Sequence, residues 1–408
     1  MKTFTRSYTL LKITSSHPYY NWCKSACLES RYLYNTMLYQ YRNSYFNKDI
    51  KTLSNIELYQ IGKVSEHWVN LPAKCSNLVW MQLVTNISSY WAAIKEYNKN
   101  PSKFKKSPKI PNYNKGMNIV TFEKQALLSS SKLPVNHIRL VRTDIILDLS
   151  NYKGDIREVK IIPKKNLFII KAIFKQVIKQ EVLNNDLVGS IDIGVNNLAA
   201  ITTNQVHIRH ILINGRPLKS INQYYNKTKA NLQSKLPKKQ KSSNRIKLLT
   251  DKRNNKIQDY IHKASRYIVN RLITNKIGTL VIGKNKEWKQ SINIGSKNNQ
   301  SFVMIPHARF IALIKYKFEA VGGVVKLVNE AYTSKCSALD LEPIQKQTEY
   351  KGKRVKRGLF KSNKGIIINA DINGSLNILR KVVKNDDLIS DLIESQQWAK
   401  QSPIRICM

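Results

Sequence analysis

Apolar and polar side chains alternate over residues 2–13, which predicts an opening strand. From Pro18 to about Phe46 the spacing changes to three, four and seven, with Trp22, Ala26, Leu33 and Met37 in phase, so a helix is expected there. A second helical pattern covers roughly residues 74–98. The segment PSKFKKSPKIPNYNKG that follows holds three prolines and five lysines and reads as an extended basic loop. Strand-like pieces come next: NIVTFEK, HIRLVRTDIILDL and REVKIIPKKNLFIIKAIFK. Strands at both ends with helices between them predict a small β-barrel over residues 1–180, with a helical insertion at about 16–100. EVLNND (181–186) reads as a linker.

The second half has a different rhythm. DLVGSIDIGVNNLAAITTN predicts an apolar strand, a turn at Val195–Asn197 and a second strand, and VHIRHILING supplies a third. A long basic helix is expected at about 244–275, with Ile246, Leu249, Ile257, Ile261, Ala264, Ile268 and Leu272 on one face. GTLVIG reads as a short buried strand, HARFIALIKYKFEAVGG as a helix closed by glycines, and VVKLVNE as another strand. A basic hairpin, KRVKRGLFKSNKGIIIN, leads into a last helix, ADINGSLNILRKV. The order βββ-α-β-α-β-α predicts an α/β domain of the ribonuclease H-like type over residues 187–384, so the chain as a whole is expected to be α+β and multidomain. Residues 385–408 are locally acidic and read as an appended tail.

Charge narrows the function. Lysine and arginine total 69 against 26 acids, a formal net charge of +43, and twenty tyrosines interleave with them. Such a field concentrates polyanions and repels itself without one, and aromatic rings offer platforms for bases, so nucleic acid is the expected partner. No secretory leader is recognisable and no apolar run approaches the ~20 residues that span a bilayer, so no membrane is expected and the cytoplasm is the predicted location. The five cysteines are odd in number and scattered, which argues against a disulfide framework; Cys23 and Cys27, one helical turn apart, read as core residues.

In a chain this poor in acids, a carboxylate inside an apolar strand is conspicuous. Asp192 sits in SIDIG between Ile191 and Ile193, where an unpaired charge is costly. Asp371 stands at the start of the last helix in NADINGSLNIL. Taken singly, one could be an edge residue paired with a lysine and the other a first-turn charge favoured by the helix dipole. Together, a D-x-G strand and a D-x-N-G-S helix suit a two-metal phosphodiester site, because Mg²⁺ prefers carboxylate oxygens converging from different elements.

RYLYNTMLYQYR, FKKSPKIPNY, SIDIGVNNLAAITT, HKASRYIVN, VIGKNKEWKQ, EAYTSKCS and NADINGSLNILRK, in this order from about residue 1 to 384, resemble the landmarks of the TnpB family, also called OrfB, which is ancestral to type V CRISPR effectors. The resemblance implies a wedge-like barrel with a helical recognition lobe, then a RuvC domain. It also implies an RNA-guided DNA endonuclease whose guide RNA comes from the transposon end and whose target is double-stranded DNA, acting in a prokaryotic nucleoid without an obligate protein partner. Asp192 matches the family's first RuvC aspartate and Asp371 its third.

Two departures stand out. The family's usual second carboxylate, a Glu ending the strand TLVIG, is Gly283 here, and the paired C-x-x-C zinc ribbon is replaced by a lone Cys336, so no zinc is expected. Glu330, ending VVKLVNE on the strand expected to lie beside TLVIG, could supply the third carboxylate across the ~4.8 Å between strands. Glu287, in the loop GKNKEWKQ, is its rival. The catalytic and metal-binding set is therefore read as Asp192, Glu330 and Asp371. Alternative functions are a nuclease-inactive, RNA-guided DNA-binding protein and a transposase acting directly in strand transfer. His262 is expected to be structural or to contact RNA, His307 to cap a helix, Trp288 to stack on a base or be buried, and the basic runs 238–241 and 351–357 to contact phosphates.

Overall fold

The computed structural model describes residues 3–47, 49–177, 180–237, 240–285, 295–383 and 402–408. The chain folds as two compact units, Met1–Ile178 and Lys179–Met408, and is a mixed α+β protein.

In the first unit β1 (Thr3–Thr14) is followed by four helices, α1 (Tyr20–Phe46), α2 (Asn55–Lys63), α3 (Glu66–Val69) and α4 (Ala73–Lys99). Strands β2 (Val120–Glu123), β3 (Leu127–Leu128), β4 (His137–Leu140), β5 (Ile146–Asp148), β6 (Asp155–Pro163) and β7 (Leu167–Val177) complete it. The strands expected to form a barrel lie in two sheets, of order β1-β7-β6-β2 and β3-β4-β5. Period-two patterning decides the inner face of β7: Phe168, Ile170, Ala172 and Phe174 are buried while their neighbours are not. They pack with Phe122 and with the Cys23, Cys27, Leu33 and Met37 stripe of α1 in one core. Each large apolar side chain buried this way contributes roughly 1.5–3 kcal/mol. Helix α2 begins on a capping box in which Ser54 and Glu57 satisfy each other's backbone amides. This signal and the short α3 were not anticipated, because the segment between the two long helices is mostly polar.

In the second unit β8 (Asn184–Asp192), β9 (Asn197–Thr203) and β10 (Ile211–Asn214) form the expected antiparallel trio. Then come α5 (Arg216–Ser234), α6 (Asn244–Thr274), β11 (Ile277–Gly283), α7 (Ser296–Met304), α8 (His307–Ala320) and β12 (Val324–Val328). The chain continues through β13 (Lys353–Lys356), β14 (Leu359–Lys361), β15 (Ile367–Asn369), α9 (Ala370–Arg380) and β16 (Ile404–Ile406). The main sheet has the order β12-β11-β8-β9-β10-β16, with β11 parallel to both β8 and β12. Every residue of β11 is buried, as a near-continuous apolar run in the parallel part of a sheet requires. The basic hairpin is present as β13 and β14, extended by β15 into a small antiparallel sheet.

Three expectations are corrected. Residues 184–186 are not linker: Asn184 already pairs with Ile277. A helix, α5, separates the third strand from the long basic helix; its sequence RPLKSINQYYNKTKANLQS buries only Leu218, Asn222 and Tyr225, too thin a stripe to stand out. Finally, Ile404–Ile406, read as part of a tail, is a strand pairing in parallel with β10. Among the described residues, no helix is long and apolar enough to cross a membrane.

Candidate active site

Asp192 is the last residue of β8, opposite Ala200 of β9. Helix α9 lies across this part of the sheet and is fixed there by a buried hydroxyl cluster. Ser190 Oγ stands 2.6 Å from Thr202 Oγ1 and donates to Ser375 O at 2.7 Å, and Ser375 Oγ donates to Ser190 O at 3.2 Å. Satisfied buried polar groups of this kind allow one register and penalise the others. Gly374 makes the approach possible, since a Cβ there would sit 2.6 Å from Asp192 Oδ2. The N-G-S of the last helix is thus a packing device for the first aspartate.

Asp371 lies in the first turn of α9, whose cap is Asn369, accepting from the Asp371 and Ile372 amides. Asn197 Nδ2 donates to Asp371 Oδ2 at 2.7 Å, and Arg354 of β13 lies 4.0 Å from Oδ1. Asn373 and Asn377, the helix's other inward polar residues, donate to carbonyls of the 333–336 loop: Asn373 to Cys336 O, Asn377 to Thr333 O and Cys336 O.

Glu330 follows β12, two residues beyond Val328, the partner of Gly283. Asn285 clamps it from both sides: its Oδ1 accepts from the Glu330 amide and its Nδ2 donates to Glu330 Oε1, each at 3.1 Å. A Cβ on Gly283 would stand 3.1 Å from Glu330 Oε2, 3.2 Å from Glu330 Cβ and 2.5 Å from Ile378 Cδ1. Glu330 and Ile378 therefore occupy the room a side chain at position 283 would need. Lys381 Nζ donates to the carbonyls of Asn329 and Ala331, holding the flanking backbone.

Two of the acids act on the third. Burial, the Asp371 charge and the Glu330 charge raise the Asp192 carboxyl well above the usual carboxylate range, with Arg354 opposing in part. An acid bound more tightly to its proton in the folded state stabilises the fold below its unfolded pKa and loses that contribution as pH rises through the raised value. Above the ordinary carboxylate range, and so at neutral pH in metal-free buffer, the buried Asp192 carboxyl therefore costs stability. Asp192→Asn should raise Tm by a few degrees near neutrality, and the gain should shrink as pH falls toward the ordinary carboxylate range and be gone below it. Melting curves across pH test this; an unchanged or lower Tm at neutral pH would contradict the electrostatic account.

Among the described residues, no three His, Cys, Asp or Glu side chains stand close enough together to hold one ion as they lie. The donor set nevertheless suits a hard cation in kind: three carboxylates, one of them carrying a charge its neighbours oppose. Glu287 and Trp288 lie outside the described residues. His307 does not behave as a simple cap: it is fully buried, with Nε2 3.2 Å from the carbonyl of Gly194, just past Asp192. His262 is exposed, and its carbonyl accepts from the buried Lys317. Cys336 is buried, with Sγ 3.4 Å from Pro343 O and 3.5 Å from Gln345 O. Nearby, the buried Glu342 accepts from the amides of Ser337 and Lys351, tying together the segment where the resemblance would put a zinc ribbon.

Sequence reasoning missed Asn197, Asn285, Ser375 and Glu342. For Ser375 the available signal was a run of polar residues, N-G-S-L-N, inside an apolar helix. For Asn285 there was none.

A family model described as a probable transposase, OrfB_IS605, matches residues 172–289, and a model of the Cas12f1-like TNB domain matches residues 307–378. The chain is similar to Cas12f1 in a complex with single-guide RNA and target DNA, at 14% identity and a TM-score of 0.47, covering 92% of this chain and 98% of that one. It is also similar to C2c1 of Alicyclobacillus acidoterrestris in complex with single-guide RNA, at 9% identity and a TM-score of 0.43, covering 86% and 65% respectively. No curated protein matches the chain. The regions similar to these families hold the carboxylates of β8 and α9. The two matches together span less than half of the chain, and what they show is a likeness to transposases of the OrfB_IS605 (TnpB) kind.

Proposed function

We propose that this protein is an RNA-guided, Mg²⁺-dependent DNA endonuclease. In this reading the second unit is a RuvC-type, ribonuclease H-like nuclease domain, and the first is a wedge-like barrel bearing a recognition lobe. The observation that carries it is the placement of the Asp371 and Glu330 charges to act on the buried Asp192, from a helix start and a loop onto a strand end, in a chain of net charge +43. Acids gathered against their own repulsion, in so basic a protein, are explained by a cationic cofactor and a phosphate substrate.

Asp192, Glu330 and Asp371 would hold Mg²⁺, which when bound supplies charge neutralisation at the phosphate and a more acidic water. Asn197 and Asn285 orient the Asp371 and Glu330 carboxylates, and the Ser190–Thr202–Ser375 cluster sets the spacing between strand and helix. Guide–target pairing supplies sequence specificity, with the protein reading duplex shape and a short flanking motif. The work site is then the cytoplasm, on the host chromosome. A second reading, an RNA-guided binder that does not cut, is favoured by the carboxylate spacing: among the described residues no trio stands at ligand distance.

Protein expressed with its flanking transposon end should purify with one discrete RNA that is lost in high salt, because phosphate contacts release counterions. DNA complementary to that RNA, presented beside randomised flanking sequence, should be cut with Mg²⁺ and left intact with chelator. Random cellular RNA would remove the dedicated guide; guided binding without cutting under any divalent cation would install the second reading.

A further inference from the structure

Beside Asp371 the second unit opens into a cleft of about 810 Å³. Its lining brings cations from three separate parts of the chain: Arg216 and Lys219 from the first turn of α5, Arg354 and Arg357 from the β13–β14 hairpin, and Arg405 from β16. Asp371 is the single acid among the described lining residues. Five cations facing one carboxylate form a surface for a polyanion. Arg354 is engaged with Asp371 at 4.0 Å and Lys219 with Asn196 Oδ1 at 3.0 Å, whereas Arg216, Arg357 and Arg405 are exposed.

Arg405 is the least foreseeable member. Residues 402–406 are tied to the sheet by pairing of Ile404 with Ile211 and Ile406 with Ile213, by the Ile404 amide donating to His210 O at 2.8 Å, and by Arg209 donating to Ser402 O at 2.7 Å. Alternation along β16 leaves Ile404 and Ile406 partly covered and Arg405 exposed in the cleft. A strand this short contributes little core, so its visible product is the placement of one guanidinium in the cleft that Asp371 also lines.

We propose that Arg405, delivered to this cleft by β16, is a phosphate-binding residue that positions the DNA strand running past Asp371. The inference rests on the nuclease reading for the purpose of the cleft, but the binding claim can be tested without cutting.

Two experiments on the full chain with its copurified RNA decide it. In the first, single-turnover cleavage is measured against DNA concentration and salt for wild type, Arg405→Ala, Arg405→Lys and a control, Lys326→Ala, an exposed residue of β12 on the far edge of the sheet. Arg405→Ala should raise the half-saturating DNA concentration about tenfold, as loss of a charge-assisted contact does. It should also lower the salt slope by about 0.7, the value for one single-strand phosphate. The maximal rate should hold, Arg405→Lys should restore most of the affinity and the slope, and Lys326→Ala should match wild type. Wild-type half-saturation and slope in Arg405→Ala would overturn the proposal. In the second, a short single-stranded oligodeoxynucleotide with photoactivatable backbone groups is crosslinked and the peptides mapped. Crosslinks are expected on the peptides holding Arg357 and Arg405, and weakened by Arg405→Glu. Their absence, or crosslinking of the copurified RNA there instead, overturns it. A protein that crosslinks as expected but never cuts would sink the nuclease reading and leave the cleft assignment standing.

Discussion

Asp192→Ala and Asp371→Ala should each reduce Mg²⁺-dependent DNA cleavage by about 1,000-fold or more while leaving RNA-guided binding of the target within about twofold of wild type. The separation follows from where the two carboxylates sit. Asp192 is covered by α9 and faces other acids, so it contributes nothing favourable to a bound phosphate by itself. Asp371 repels a phosphate and partly neutralises Arg354, so its removal frees a cation at the cleft and leaves binding intact or slightly tighter. Cleavage assays paired with gel shifts on the same complex separate the two effects. Substantial cutting by either variant would dismiss these residues as the active site, and a parallel loss of binding would recast them as structural.

The second large effect concerns position 330. Glu330→Gln should slow cleavage by at least about 100-fold with little change in Tm, because the amide keeps the shape and can still accept from Asn285 Nδ2, yet carries no charge for a cation. Gly283→Ala tests the same geometry from the other side. Its new Cβ would press on Glu330 at 3.1–3.2 Å and on Ile378 at 2.5 Å, so it should cost about 1–3 kcal/mol of stability and displace the carboxylate. Combining Gly283→Glu with Glu330→Gln should not restore cutting, since Ile378 Cδ1 blocks the path of the new side chain. Glu287→Gln should stay active. Wild-type rates in Glu330→Gln would transfer the third role to Glu287.

Much of the architecture was readable along the chain because periodicity reports burial directly. The alternation in β7, the three-and-four spacing of α1 and α6, and the unbroken apolar run of β11 each follow from which faces must leave water. The elements that escaped are those whose apolar stripe is thin: α5 buries three residues of nineteen, and β16 presents only two isoleucines around an arginine. Propensity is silent where a segment is stabilised by a surface that another part of the chain supplies.

The candidate site divides in the same way. Asp192 and Asp371 were legible as candidates because a charge in an apolar strand and an acid opening a D-x-N-G-S helix are costly or patterned locally, without reference to the rest of the chain. By its own pattern the sequence determined the mixed α+β class and the net charge of +43, and it singled out these two aspartates as candidates. It offered two acids, Glu330 and Glu287, as candidates for a third role. Tertiary structure alone set Glu330 against Gly283, gave it the Asn285 clamp, seated α9 on Asp192 through Ser190, Thr202 and Ser375, and brought Arg405 back to the cleft. The reason is physical: such contacts join residues about 45 to 190 positions apart, and no local preference encodes which distant side chain will fill a given space.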